Sequence, residues 1–322
     1  MHKRFLLLAP LTLALTACGS SGNHGAPAAA PAGTVAAPSA TAAAPTPTAT
    51  TTPAPASTPS AAASTGTGNT TPAAPAANHS ATMPASGNQL SATDKAAMVK
   101  AAKNFVPSSQ WVEGANYFLI QPQQPKVGNT DKVEVAEVFN WGCPACNEAH
   151  TIIDKMEAAL PSYATMDYLA AGFRPDENWT LYQRAWFTAK ALGLGRKSYN
   201  AMFDANWKTG VTGSYNLASG TLNPRSKWPH LDTVATFFHK TYGVPVKQFV
   251  AIANSFAINT QLKRADELVK DYGVLGTPTL IVDGRYRFDF RSAGGYGKGV
   301  ELAKYLVAME AKRIVDQAQS AK

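Results

Sequence analysis

The sequence predicts an α/β fold in which a run of helices interrupts a small sheet domain. Three observations carry that prediction. The apolar run 133–139 reads as a buried strand and feeds directly into Trp141-Gly142-Cys143-Pro144-Ala145-Cys146, where helical spacing begins. From 178 to 272 the periodicity is helical, with no strand pattern among those residues. Strand patterns resume only after Gly276-Thr277-Pro278.

Taken in order, 91–105 is an amphipathic lead-in helix, 117–120 and 133–139 are strands, and 145–160 is a helix marked by Ile152, Ile153, Met156 and Leu160. A strand at 162–170 completes a strand-helix-strand unit. Helices follow at 178–192, 196–207, 230–242 and 246–272, the last two separated by Gly243 and Pro245. Strands at 279–282 and 286–289 flank the turn pair Asp283-Gly284, and 300–317 is a closing helix. Trp179, Trp186, Trp207 and Trp228 with Phe237, Phe238 and Phe249 are expected to form the core of the helical part. Residues 94–322 suffice for one folded domain, with sheet parts at 112–172 and 263–318 around a helical insertion at 173–262.

The N-terminal third has a different composition. Residues 1–17 open with Lys3 and Arg4 and continue through an apolar segment too short to span a bilayer, which reads as a signal peptide. Leu15-Thr16-Ala17-Cys18 closes it and resembles the lipobox of bacterial lipoproteins, which implies acyl chains on Cys18 and firm anchoring. Gly19 follows where Asp would favour inner-membrane retention in enteric bacteria, so the outer membrane is favoured over the inner. Between Phe5 and Asp94 there is no Asp, Glu, Lys or Arg, and 18–93 is rich in Ala, Pro, Thr and Ser. Lacking apolar anchors to offset ordering entropy, it is expected to be a disordered tether, open to O-glycosylation.

This address implies an oxidising, periplasmic setting. Lys3 and Arg4 account for two of the eight net positive charges, and the remainder is spread along 94–322 without a run, which argues against a nucleic-acid role.

Of the three cysteines, two form the Cys-x-x-Cys. A strand leading such a pair to the mouth of a helix is an arrangement that makes a thiol redox-active. Pro144 has the fixed φ and missing N–H that suit a first helical turn. Unpaired N–H groups and the helix dipole there favour a Cys143 thiolate, with Cys146 one turn deeper to resolve a mixed disulfide. A structural disulfide or half of a metal site is the alternative, although only His150 lies near as a further ligand. His150 itself is expected on the helix surface.

The order of these features resembles the DsbA family of bacterial thiol:disulfide oxidoreductases, a thioredoxin fold with an inserted helical subdomain. The resemblance runs from about Trp111 to Val315 and rests on Cys143-Pro144-Ala145-Cys146, on Gly276-Thr277-Pro278 before a strand, and on Glu137 six residues ahead of Cys143. It implies that Pro278 is cis and faces Cys143, and that the Thr277 backbone pairs with extended substrate. It also implies that Glu137 lies buried beneath Cys146 and accepts its proton. A trans-proline turn and a solvent-facing Glu137 are the plainer readings. The family implies a monomer with neither bound cofactor nor metal, acting on unfolded or reduced exported proteins. A DsbB-like membrane partner would reoxidise it, or a DsbD-like one would reduce it if it served as reductase or isomerase. A non-catalytic binding or copper-carrying lipoprotein is the reading from a different class.

Two residues depart from the family pattern: Ala145 where His is typical and Thr277 where Val is typical. Alanine offers no hydrogen bond or charge to a thiolate, so the disulfide is expected to be a weaker oxidant. Ala145→His is therefore expected to make the protein more oxidising, read from its redox equilibrium with glutathione; an unchanged or more reducing value would remove the argument.

Overall fold

The computed structural model describes residues 89–321. The signal segment, Cys18 and the tether up to residue 88 lie outside the described residues. The first helix, α1 (Ala92–Asn104), begins where Ser91 and Asp94 cap each other: the Ser91 hydroxyl accepts the Asp94 N–H at 3.0 Å, and the Asp94 carboxylate accepts the Ser91 N–H at 3.2 Å.

Five strands form one sheet: β1 (Phe118–Leu119), β2 (Val133–Phe139), β3 (Ala164–Ala170), β4 (Thr279–Val282) and β5 (Tyr286–Phe288). Their order is β1-β5-β4-β2-β3, with β2 and β3 parallel and the other pairs antiparallel. The parallel pair is joined through α2 (Pro144–Ala159), as a crossover between parallel strands requires. Every residue of β2 is buried, which explains its nearly unbroken apolar sequence. Side chains alternate along it, so Val133, Val135, Glu137 and Phe139 point to one face and Glu134, Ala136 and Val138 to the other.

Between β3 and β4 run α3 (Trp179–Ala191), α4 (Gly195–Trp207), α5 (Leu231–Tyr242), α6 (Val246–Ala253) and α7 (Phe256–Asp271). The single helix expected over 246–272 is two. Asn254 ends the first, and Ser255 caps the second by accepting the Ile258 N–H at 3.3 Å. The closing helix, α8 (Tyr296–Ser320), starts four residues earlier than its apolar pattern suggested. Gly297 and Gly299 hide its first turns, and Gly299 is there for packing: a Cβ would lie 2.4 Å from the Phe290 ring. Among the described residues, no helix is long and apolar enough to cross a membrane.

Two aromatic clusters hold the helices to the sheet and to one another. Phe139 from β2 meets Trp186 of α3 at 5.0 Å and Tyr199 of α4 at 5.2 Å between ring centres. Within the insertion Phe238 and Phe249 stack at 4.7 Å, both fully buried. Trp179 and Trp186 are buried as expected, whereas Trp207, Trp228 and Phe237 are only half-buried and sit at the margin of that core. Phe249→Ala is expected to cost about 3–5 kcal/mol of unfolding free energy, because a rigid stacked pair cannot close the cavity; urea denaturation would measure it.

Candidate active site

Cys143 is the N-cap of α2, with extended backbone angles (φ −85°, ψ 120°) and Pro144 as the first helical residue. Its sulfur takes the role a hydroxyl or carboxylate usually plays there, accepting the Cys146 N–H at 3.3 Å. The thiol of Cys143 also reaches the Thr277 carbonyl at 3.5 Å. Its pKa falls to about 7 because the Cys146 thiol hydrogen-bonds to it, assisted by the Thr277 side chain and by the N–H groups of Cys146 and Ala145; burial opposes the shift. Cys146 is fully buried and goes the other way, well above the ordinary thiol value, through burial first and then the Cys143 and Glu137 charges. One sulfur is poised to ionise near neutrality while its neighbour keeps its proton.

The loop that presents Cys143 is held by groups that its sequence did not advertise. Asn140 is wholly buried, donates to the carbonyls of Ala171 at 2.6 Å and Trp179 at 3.1 Å, and accepts the Gly142 N–H at 2.7 Å. The Trp141 indole donates to the Tyr199 carbonyl at 3.0 Å, and the Trp141 carbonyl accepts from Asn206 and Trp207 at 2.9 and 2.8 Å. At Gly142 a Cβ would meet the Tyr182 ring at 2.8 Å, so only glycine lets the loop lie against α3. A polar residue ending an apolar strand was the one available sign of Asn140's role.

Glu137 is fully buried, not solvent-facing. The Tyr199 hydroxyl donates to its Oε2 at 2.5 Å, and its Oε1 has no hydrogen-bond partner among the described residues. Burial pushes its pKa up to about 8, the Tyr199 hydrogen bond pulls it down, and the Cys143 charge adds to the rise.

The Thr277–Pro278 peptide is cis, and its loop stands against the dithiol through the Thr277 carbonyl. The Thr279 hydroxyl donates to the Gly276 carbonyl at 2.7 Å and pins the loop's start. Beside it lies a groove of about 1020 Å³ whose walls include Phe118, Ala145, Pro278, Phe290 and Tyr296. Leu275 at its edge is 91% exposed.

His150 is not a surface residue. It is 7% exposed, stacks on Phe203 at 5.1 Å, and shares a hydrogen bond of 3.1 Å between Nδ1 and the Asn200 side chain. The α4 helix covers that flank of α2, which the helical spacing of 145–160 alone did not reveal. Among the described residues, no group of three or more His, Cys, Asp and Glu side chains converges to hold a metal ion.

The arrangement has close counterparts among known proteins, although no family model matches the chain. The thiol:disulfide interchange protein DsbA of Pseudomonas syringae pv. tomato is 31% identical, over 67% of this chain and 94% of its own length. DsbA of Pseudomonas aeruginosa is 30% identical over 66% of this chain and 94% of its own. The crystal structure of Pseudomonas aeruginosa DsbA superposes with a TM-score of 0.53 at 29% identity, covering 67% of this chain and 99% of that one. The chain belongs to the DsbA family. Its fold is accordingly the thioredoxin fold with inserted helices, and it is a thiol:disulfide oxidoreductase.

The buried acid has a stability signature. Glu137 titrates at about 8 when folded against an ordinary 4.5, so between those values the folded protein holds a proton that the unfolded chain has lost. Its contribution is therefore greatest below the lower value and declines as pH rises through the higher one. In the reduced protein, Glu137→Gln is expected to remove that decline. Relative to the parent, its stability should rise between pH 4.5 and about 8, by up to roughly 3–5 kcal/mol, read from urea denaturation at a series of pH values.

Proposed function

We propose that this protein introduces disulfides into exported proteins through Cys143 and Cys146. The observation that carries the proposal is the position of the Cys143 sulfur at the helix mouth, with its pKa lowered to about 7 while that of Cys146 is raised. In the oxidised protein, a substrate thiolate attacks Cys143, breaking the Cys143–Cys146 bond and forming a mixed disulfide. The electron pair departs on Cys146, which takes up a proton. A second substrate thiolate then attacks the substrate sulfur of that bond, and Cys143 leaves. A low-pKa thiol is the better leaving group, so the asymmetry of the pair drives the electrons toward the protein.

Glu137 is the proton donor and acceptor for Cys146 in this scheme, supported by its burial near both sulfurs and its raised pKa. Pro144 shapes the first turn, and Ala145 and Thr277 set the redox poise. Pro278 and the Thr277 backbone receive the substrate as an added strand, and the Thr277 N–H has no protein partner among the described residues. The groove beside the cis-proline loop supplies apolar surface for an unfolded chain.

No bound cofactor takes part in this scheme; the dithiol itself carries the electrons. A DsbB-like membrane protein would reoxidise it, and the protein would act as a monomer in the periplasm. Acyl chains on Cys18 would tether it, to the outer membrane in preference to the inner.

Refolding of reduced ribonuclease would test the chemistry. Cys143→Ser should abolish turnover, and Cys146→Ser should accumulate mixed disulfides that alkylation can trap. In cells, thiol trapping should find Cys143 and Cys146 mainly as the disulfide; mainly dithiol would instead indicate a reductase or isomerase served by a DsbD-like donor.

A further inference from the structure

We propose that Tyr199, a residue of the inserted helices, is a positioning residue for thiol exchange: its hydroxyl holds one oxygen of Glu137 and leaves the other free for the Cys146 proton. The inference rests on the reading of Glu137 as the proton acceptor and extends it to a part of the molecule outside the thioredoxin fold.

Among the described residues, Tyr199 alone combines two connections. Its hydroxyl donates to Glu137 Oε2 at 2.5 Å, and its carbonyl accepts the indole N–H of Trp141, two residues before Cys143, at 3.0 Å. The ring is fully buried and packed on Tyr168, Phe139 and Phe203 at centroid distances of 4.7, 5.2 and 5.2 Å, so the hydroxyl has no room to swing away. One turn earlier on α4, the Arg196 guanidinium lies 5.6 Å from the centre of the same ring. The groups that bear on Glu137 are thus Cys143, Cys146 and Asp154 from α2, Tyr168 from β3, and Tyr199 and Arg196 from α4.

A donor on one oxygen stabilises the buried carboxylate, and a second donor on the other oxygen would compete with a proton arriving from Cys146. Tyr199 supplies one, and Oε1 is left unpartnered. When Cys146 resolves a mixed disulfide, its S–H bond breaks and the proton passes to Glu137 Oε1. The sulfur electron pair forms the bond to Cys143, and the substrate sulfur leaves as thiolate. Without the Tyr199 hydroxyl the carboxylate loses its stabilising donor, and Glu137 stays protonated to higher pH.

The test follows release of glutathione from a preformed Cys143–glutathione mixed disulfide by stopped flow across pH. In the parent, release should accelerate as Glu137 ionises. Tyr199→Phe should move that midpoint upward by roughly one pH unit. Incorporation of 3-fluorotyrosine at 199, whose hydroxyl is the stronger donor, should move it downward while keeping the ring in place. A carboxyl ¹³C titration of Glu137 should shift in the same directions. Profiles superimposable on the parent for the fluorotyrosine protein would overturn the role of Tyr199, whether or not Tyr199→Phe folds. Glu137→Gln separates the two ideas: if it leaves the profile unchanged, the reading of Glu137 falls; if it flattens the profile while Tyr199 changes do nothing, only the positioning role falls.

Discussion

A single hydrogen bond, from the Cys146 N–H to the Cys143 sulfur, is the constraint on which the rest of the site depends. It exists only while that sulfur sits at the mouth of α2, and holding it there takes a large share of the fold. Asn140 binds the loop to the end of β3 and the start of α3, Gly142 lies flat on Tyr182, and Trp141 is clasped by α4. The aromatic cluster that fixes α3 and α4 against β2 is therefore also the mounting of Cys143. The helices that the sequence places as an insertion form the wall against which the dithiol loop is set.

Strand β2 carries two buried acids, and their surroundings differ in a telling way. Glu134 accepts backbone N–H groups from Val127 and Gly128, each at 2.7 Å, one on each carboxyl oxygen. Burial and the nearby Asp167 raise its pKa to about 7, while those N–H groups and Lys126 oppose the rise. Both oxygens are committed, and the residue ties the 125–130 loop to the sheet. Glu137, three residues on and therefore on the opposite face, has one oxygen committed and one vacant. A buried oxygen without a partner destabilises the fold, and such a cost persists where chemistry uses the group.

Much of this was legible in the sequence, and the failures have physical causes. The strands, the dithiol, the helix opened by Pro144 and the turn before β4 are local, and periodicity and turn chemistry report local structure directly. Glu137's burial was legible only through its spacing from Cys143, since an isolated Glu in an apolar strand has two possible faces. What escaped was contact between distant segments. His150 is covered by α4, Tyr199 reaches across to β2, and Asn140 bridges to Ala171 and Trp179. No periodicity encodes such meetings. The break at Asn254-Ser255 was a cap signal overridden by a strong helical pattern on both sides, and the early start of α8 was masked by its glycines, of which Gly299 is there for close packing against Phe290.

The same geometry bears on how oxidising the disulfide is. Reduced dithiol and buried acid share one small, dry volume, so their charges oppose one another: a Cys143 thiolate raises the pKa of Glu137, and a Glu137 carboxylate raises that of Cys146. The two charges thus disfavour one another in the reduced site. Anything that stabilises the thiolate alone pulls the equilibrium toward the dithiol and strengthens the oxidant. Ala145 is exposed on the groove wall and adds nothing to the thiolate beyond its backbone N–H, whereas Thr277 adds a modest stabilisation from the opposite side. The Cys143 thiolate is therefore favoured by the helix mouth and by Thr277, with Ala145 contributing only its backbone N–H.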